Sequence, residues 1–231
     1  MTSLARRAHG AEQMDDDGLD PAVYASVLAD LARVNRVTMA HRPTLNFVAR
    51  AIGDRRRFTL LDVGFGQGDM LRAIGRWAAG RNVEARLIGV DLNPRSAPAA
   101  RAATQSQAID FRTGDYRDLA GEGIDLIISS LVAHHMAERE LHDFLRFMEE
   151  EARLGWMIND LRRARLAHIG FPLLARVMRW HPMVRADGTL SIARSFREED
   201  WRRILAGAGI ADAEARIVRR FPFRLCVERT R

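Results

Sequence analysis

The stretch Leu60-Leu61-Asp62-Val63-Gly64-Phe65-Gly66-Gln67-Gly68-Asp69 constrains this chain more than any other. Phe58 to Val63 reads as a short apolar strand, Gly64 to Gly68 as a tight loop, and Met70 to Ala79 as a helix. Glycines at such a junction allow positive φ and close approach of backbone to a ligand. The alternation continues with a strand from Ala85 to Val90 ending at Asp91, a helix from Pro94 to Thr104 and a strand from Ala108 to Arg112. A buried strand from Gly123 to Ser129, a helix from Glu138 to Arg153 and a strand from Leu154 to Ile158 follow. Strands alternating with helices at this spacing predict βαβ units and a parallel sheet.

Two segments stand outside the alternation. Asp20-Pro21 starts a helix, with Asp as N-cap and Pro in the first turn. A second helix is expected from about Pro43 to Gly53, so residues 20–53 form a helical arm ahead of a core at 54–231. Residues 161–195 are too long for a simple crossover, and Pro172 reads as a helix start within them. After this insertion a helix is expected at 197–208 with Ser195 as its N-cap. Two strands close the chain, 213–219 and 221–228, and their short link implies a hairpin.

Hydrophobic residues make up 47% of the 231, enough for a packed core. No apolar run is long enough to span a bilayer, and residues 1–19 carry Arg6, Arg7 and an acidic run but no secretory h-region. They read as a solvated tail. The formal charge is +6 and every one of the 36 basic residues is arginine. Acidic residues are interspersed with them and no basic–aromatic block occurs, so nucleic acid is not the expected partner. A single cysteine, Cys226, excludes an internal disulfide and reads as buried and inert. The expectation is a cytoplasmic protein; the oligomeric state is open.

The glycine loop is G-x-G-x-G, whereas a dinucleotide fingerprint is G-x-G-x-x-G with a pyrophosphate at the helix N-terminus. Asp62 and Asp69 flank it, and Asp69 stands where that pyrophosphate would lie. Two carboxylates there favour a cationic ligand. Asp91 ends the second strand, where an acid can accept both ribose hydroxyls. Asp115, in Thr113-Gly114-Asp115-Tyr116, follows the third.

The motifs Leu-Asp-Val-Gly-Phe-Gly-Gln-Gly, Gly-Val-Asp-Leu-Asn-Pro, Gly-Asp-Tyr and Asp-Leu-Ile-Ile-Ser-Ser resemble those of class I S-adenosylmethionine-dependent methyltransferases over about Thr59 to Asp160. Phe65 departs from the Gly-Cys-Gly common in that family. The resemblance implies a Rossmann-like α/β fold. Its seven-stranded sheet would be mostly parallel with an antiparallel last strand, carrying a helical N-terminal arm and a helical insertion. It also implies S-adenosylmethionine as cofactor and S-adenosylhomocysteine as product. Asp62, Gly64, Gly66 and Gly68 would line the methionine part, Asp91 would hold the ribose, and Leu92 would belong to the cofactor site. Asp115 and Tyr116 would contact adenine, and Ser129 and Ser130 would lie beneath the sulfonium. Arg36 or Arg42 would pair with the methionine carboxylate or an acidic acceptor.

His134 and His135 follow the fourth strand, where a base near the methyl group would deprotonate a phenol or enol. His168 and His181 are weaker candidates, and no histidine–carboxylate set announces a metal. The pattern is similar to that of ubiquinone- and menaquinone-type enzymes and of those associated with type III polyketide synthases. It implies O-methylation of a small phenolic, quinol-like or polyketide acceptor. C- or N-methylation and a non-catalytic binding role are the alternatives. The Arg-rich, Trp-containing insertion also suits weak peripheral contact with a membrane.

Overall fold

The structure, a computed structural model, describes residues 4–16, 18–105 and 108–231. Its centre is a seven-stranded sheet of β1 (Arg57–Val63), β2 (Glu84–Asp91), β3 (Ile109–Thr113), β4 (Leu126–Ser130), β5 (Gly155–Leu161), β6 (Arg216–Arg220) and β7 (Arg224–Thr230). The order is β3-β2-β1-β4-β5-β7-β6, and only β7 runs antiparallel to its neighbours. The switch in strand direction of travel lies between β1 and β4, where open α/β sheets bind ligands beyond the strand tips.

Both faces of the sheet are buried, which explains why its strands read as continuous apolar runs. On one face Phe58 and Leu60 pack with α2 (His41–Ile52), α3 (Asp69–Ala79) and α4 (Ser96–Ala102) through Phe47, Leu71, Ile74 and Ala100. On the other, Leu61 and Val63 meet α5 (Glu138–Glu151) and α8 (Glu198–Gly207) through Phe144, Met148 and Trp201. A third cluster lies outside the sheet. There α1 (Pro21–Val37), α6 (Arg165–Val177) and α7 (Pro182–Arg194) join through Val27, Val34, Ala175, Trp180 and Val184 and roof the strand tips.

Local chemistry sets the ends of these helices. Asp20 caps α1 by accepting from Ala22 N and Val23 N, with Pro21 in the first turn. Gly53 ends α2 at φ 54°, a left-handed value that glycine takes without strain. The expected α2 start at Pro43 moves back to His41, because proline is tolerated in a first turn whose N–H groups lack partners anyway.

Three expectations are corrected. Pro172 lies inside α6 rather than at its start. The proline is accommodated within a helix whose outer face is solvated, with Leu173 and Val177 exposed. The cap of α8 is Arg197, not Ser195: Asp200 accepts the Arg197 N–H at 2.9 Å, while the Ser195 hydroxyl turns back to Ser191 O at 2.6 Å. Finally, the described part of the expected solvated tail is packed down; Met1 to Ser3 and Asp17 lie outside the described residues. Glu12 is buried, Asp187 accepts from Gln13 N and Met14 N, and Arg7 reaches the carbonyls of Arg194 and His134. Polar side chains that find partners in α7 compensate for leaving water, which a pattern search for apolar residues does not detect.

Candidate active site

The tips of β1, β2 and β4, the arm and the roof enclose a cavity of about 420 Å³. Of the expected site residues, Asp62, Gly64, Gly66, Asp91, Leu92, Tyr116, Ser130, His134 and His135 line it. The loop itself is built by backbone geometry. Gly64, Gly66 and Gly68 have φ of 74°, 55° and 74°, and a Cβ on Gly64 would come within 2.4 Å of Val132. Phe65 is buried, packing 5.0 Å from Phe111 over the space that Gly89 leaves free. The unusual residue in the loop thus faces the core.

Three carboxylates surround the loop. Asp91 Oδ2 accepts the Gly66 N–H at 2.9 Å, which ties the loop to β2. Asp69 is engaged by the arm, through His41 Nε2 at 2.6 Å and Asn35 Nδ2 at 3.1 Å. Burial would raise Asp69, yet the His41 contact holds it below the usual carboxylate range. Asp62 has no such help. Its Oδ1 is buried without a hydrogen-bond partner, and burial, with Asp69 and Asp91 nearby, pushes its carboxyl well above the usual range. A cation seated here would relieve all three effects at once.

Five expected residues stand elsewhere. Gly68 begins α3 against Phe111, where a Cβ would meet the ring at 2.6 Å, so it serves packing. Ser129 is buried and donates to Val63 O at 2.9 Å. Asp115 caps the turn Tyr116–Leu119 and is gripped by Arg117, Oδ2 to Nη2 at 2.5 Å. Arg42 is exposed, its Nη1 3.4 Å from Met39 Sδ, and Arg36 is also exposed.

At the other end of the cavity lie the two histidines. His134 Nδ1 is 2.7 Å from Asp160 Oδ1, and its Nε2 is 3.6 Å from Glu12 Oε1. Burial alone would lower the ring's pKa, but Asp160 and Glu12 outweigh it and lift it to about 9. His135, less buried at 29% exposed, lies 3.3 Å from Asp15 and 3.6 Å from Glu12. Glu12, His134 and His135 bring three potential metal-binding atoms within 4.8 Å of one another. Glu12 also accepts from Ser191 Oγ at 2.8 Å and pairs with Arg194, so the cluster is a neutralised ion-pair network as it stands.

Sequence reasoning missed Asn35 as a site residue, Arg224 and Glu12. Asn35 Oδ1, Ser130 Oγ and Arg224 Nε and Nη1 join Asp62 Oδ1 as buried, unpartnered polar atoms of cavity-lining residues. No single stretch of sequence carries that signal, because each residue comes from a different element.

Residues 61–154 match the family described as Methyltransferase domain. Over 110 residues, or 46% of the chain, it is 32% identical to a probable fatty acid methyltransferase of Mycobacterium tuberculosis. The match spans 23% of that relative's length. Among solved structures the fold resembles human N-acetylserotonin methyltransferase, with a TM-score of 0.63 and 14% identity, covering 92% of this chain and 56% of that one. It also resembles an S-adenosylmethionine-dependent methyltransferase of Aquifex aeolicus, with a TM-score of 0.62 and 17% identity over 91% and 98% of the two chains. Residues 61–154 thus match a methyltransferase domain family, and the chain has the Rossmann-like α/β fold of these methyltransferase structures.

Proposed function

We propose that the chain binds S-adenosylmethionine at the β1–β2 tips and transfers its methyl group to a small hydrophobic acceptor. The observation that carries this reading is Asp62, a buried carboxylate with an unpartnered oxygen in a cavity shared with Asp69 and Asp91. An anionic nucleotide would be repelled there, whereas an α-ammonium or sulfonium is attracted. When bound, the cofactor supplies an activated methyl group. The protein's part is to orient it, exclude water and prepare the acceptor.

Gly64 and Gly66 let the backbone approach the methionine part, and Asp91 with Leu92 borders the ribose. Tyr116 and the backbone at Gly114 line the adenine end, so Asp115 is not needed there. Ser130 offers its free hydroxyl below the methyl. His135 takes the acceptor's proton, while His134, held as an imidazolium, orders the loop and the Glu12 strap around it.

The roof contributes Phe171, Val184 and Ile192 to the cavity wall, which suits an apolar acceptor such as a phenol, quinol or polyketide. The relative named for fatty acids extends that class to acyl chains. Calorimetry with S-adenosylmethionine and S-adenosylhomocysteine tests the cofactor. Mass spectrometry of products from phenolic and fatty acid acceptors tests the transfer and assigns O-, C- or N-methylation. Tight cofactor binding with no turnover across that screen would favour the non-catalytic alternative.

A second reading concerns where a lipophilic acceptor is met. No helix is long and apolar enough to cross a membrane among the described residues. On α6, however, Leu166, Ile169, Leu173 and Val177 are exposed along one stripe, and residues 161–186 contain six arginines and no acid. Apolar side chains bracketed by arginine favour peripheral contact with an anionic lipid surface.

A further inference from the structure

We infer that Arg224 is a carboxylate receptor built into the wall of the cavity. The inference rests on the cavity being a cofactor and acceptor site, and it gives to a buried arginine of β7 the carboxylate expected at Arg36 or Arg42, which are exposed and do not line the cavity.

Arg224 opens β7, opposite Leu161 of β5 and Arg220 of β6. It is 2% exposed and lines the cavity. Its Nε and Nη1 have no hydrogen-bond partner, and its Nη2 contact, to Thr38 Oγ1, is 3.5 Å long. Among the described residues no acid forms an ion pair with it. The acids around it are already committed. Asp160 binds His134 through both oxygens, at 2.7 and 2.9 Å, and accepts from Leu161 N at 2.7 Å. Asp69 is engaged by His41 and Asn35.

A guanidinium cannot escape burial by losing its proton under ordinary conditions, so an unpaired one is costly unless a partner arrives. Arg163 shows how this fold treats a buried arginine with no ligand to meet. It is 6% exposed, with Asp200 at 3.0 Å and Ser195 O at 3.1 Å. Arg224 instead lines the cavity with two buried guanidinium nitrogens unpartnered, and a planar guanidinium is a group that carboxylates can engage in bidentate fashion.

The other unpartnered groups define the complement. Asp62 and Asn35 offer acceptors while Arg224 offers donors. Together they suit the two charged ends of an α-amino acid, such as the methionine moiety of the cofactor. The apolar wall at Leu161, Phe171 and Val184 would equally lead the carboxylate of a hydrophobic acid to Arg224. The chemistry is shared, and binding measurements separate the sources.

Wild type is first titrated with S-adenosylhomocysteine; failure there defeats the cofactor reading independently of Arg224. Arg224→Gln is then titrated with S-adenosylhomocysteine and with 5′-methylthioadenosine, which lacks the amino-acid group. A loss of roughly ten- to a hundredfold for the first ligand alone places the cofactor's carboxylate on Arg224. Unchanged affinity for both, with loss of decanoate binding to the complex with S-adenosylhomocysteine, places an acceptor's carboxylate there. Should Arg224→Gln not fold, wild type is titrated with decarboxylated S-adenosylhomocysteine, which keeps its amine, and with decanol in place of decanoate. Weaker binding of either neutralised probe supports the receptor. The inference is overturned if Arg224→Gln loses neither ligand, or if wild type binds both neutralised probes as tightly as their carboxylates.

Discussion

His134 Nδ1 lies 2.7 Å from Asp160 Oδ1, and Asp160 Oδ2 accepts the backbone N–H of the same histidine at 2.9 Å. The pair clamps the turn after β4 onto the tip of β5 by ring and backbone together. Because the folded-state pKa of His134 stands at about 9, above the ordinary 6.5, its stabilisation is complete below pH 6.5 and is lost as pH rises through about 9. Wild type should therefore lose thermal stability between pH 7 and 10, and His134→Gln should show a flatter profile over that window. Thermal melts across pH settle it; parallel profiles would remove the imidazolium assignment.

The two histidines should separate by readout. His135 borders the cavity and is less buried, so His135→Ala should lower kcat by about 10²–10⁴ with little change in Tm. His134→Ala breaks a buried ion pair and should cost about 3–5 kcal/mol of stability. Steady-state kinetics beside melting curves distinguish them, and full turnover in His135→Ala ends its role as base.

Asp62 makes cofactor binding a proton-linked event. Burial first, then Asp69 and Asp91, raise its carboxyl well above the usual range, so in the free protein it retains its proton to higher pH. A bound cation favours the ionised form. Binding should then release a proton and tighten as pH rises toward the free protein's titration of Asp62. Calorimetry in buffers of different ionisation enthalpy measures that proton. Asp62→Asn should abolish the release and weaken binding; an unchanged release would assign it elsewhere.

The loop glycines should also part company. A Cβ at Gly68 meets Phe111 at 2.6 Å, on a backbone with φ 74°, so Gly68→Ala should cost about 1–3 kcal/mol of stability. At Gly66 the nearest neighbour, Leu28, is 3.7 Å away and the residue faces the cavity. Gly66→Ala should retain more stability and read out chiefly as weaker cofactor binding. Chemical denaturation paired with titration tests the contrast.

On α6, Leu173 and Val177 are 61% and 76% exposed. Replacing both with Gln should leave Tm nearly unchanged, as surface substitutions do. Sedimentation with anionic vesicles should fall in the variant and, for wild type, in high salt. Equal pelleting of wild type and variant would dismiss the membrane reading.

Much of the architecture was legible because it is written locally. The order from β1 to β5 follows apolar runs and glycine junctions, and Asp62 and Asp91 sit at strand ends that any parallel sheet brings to one edge. Boundaries moved by a few residues where end chemistry outweighs periodicity, as at His41 and Arg197. Asp115 shows a different limit. The motif marks the position, but Arg117, two residues on, takes the carboxylate through a local contact that motif matching does not weigh.

The composition of the cavity wall is a tertiary matter. Glu12 meets His134 and His135 because the N-terminal segment docks on α7 through Asp187, and Arg224 lines the same cavity as Asn35 and Asp62 because β7 enters the sheet next to β5. Strand and helix formation depend on side chains a few residues apart, so the linear pattern determines them. Whether a buried charge finds a partner depends on groups far apart in the chain, and only the packed arrangement of arm, sheet and roof decides that.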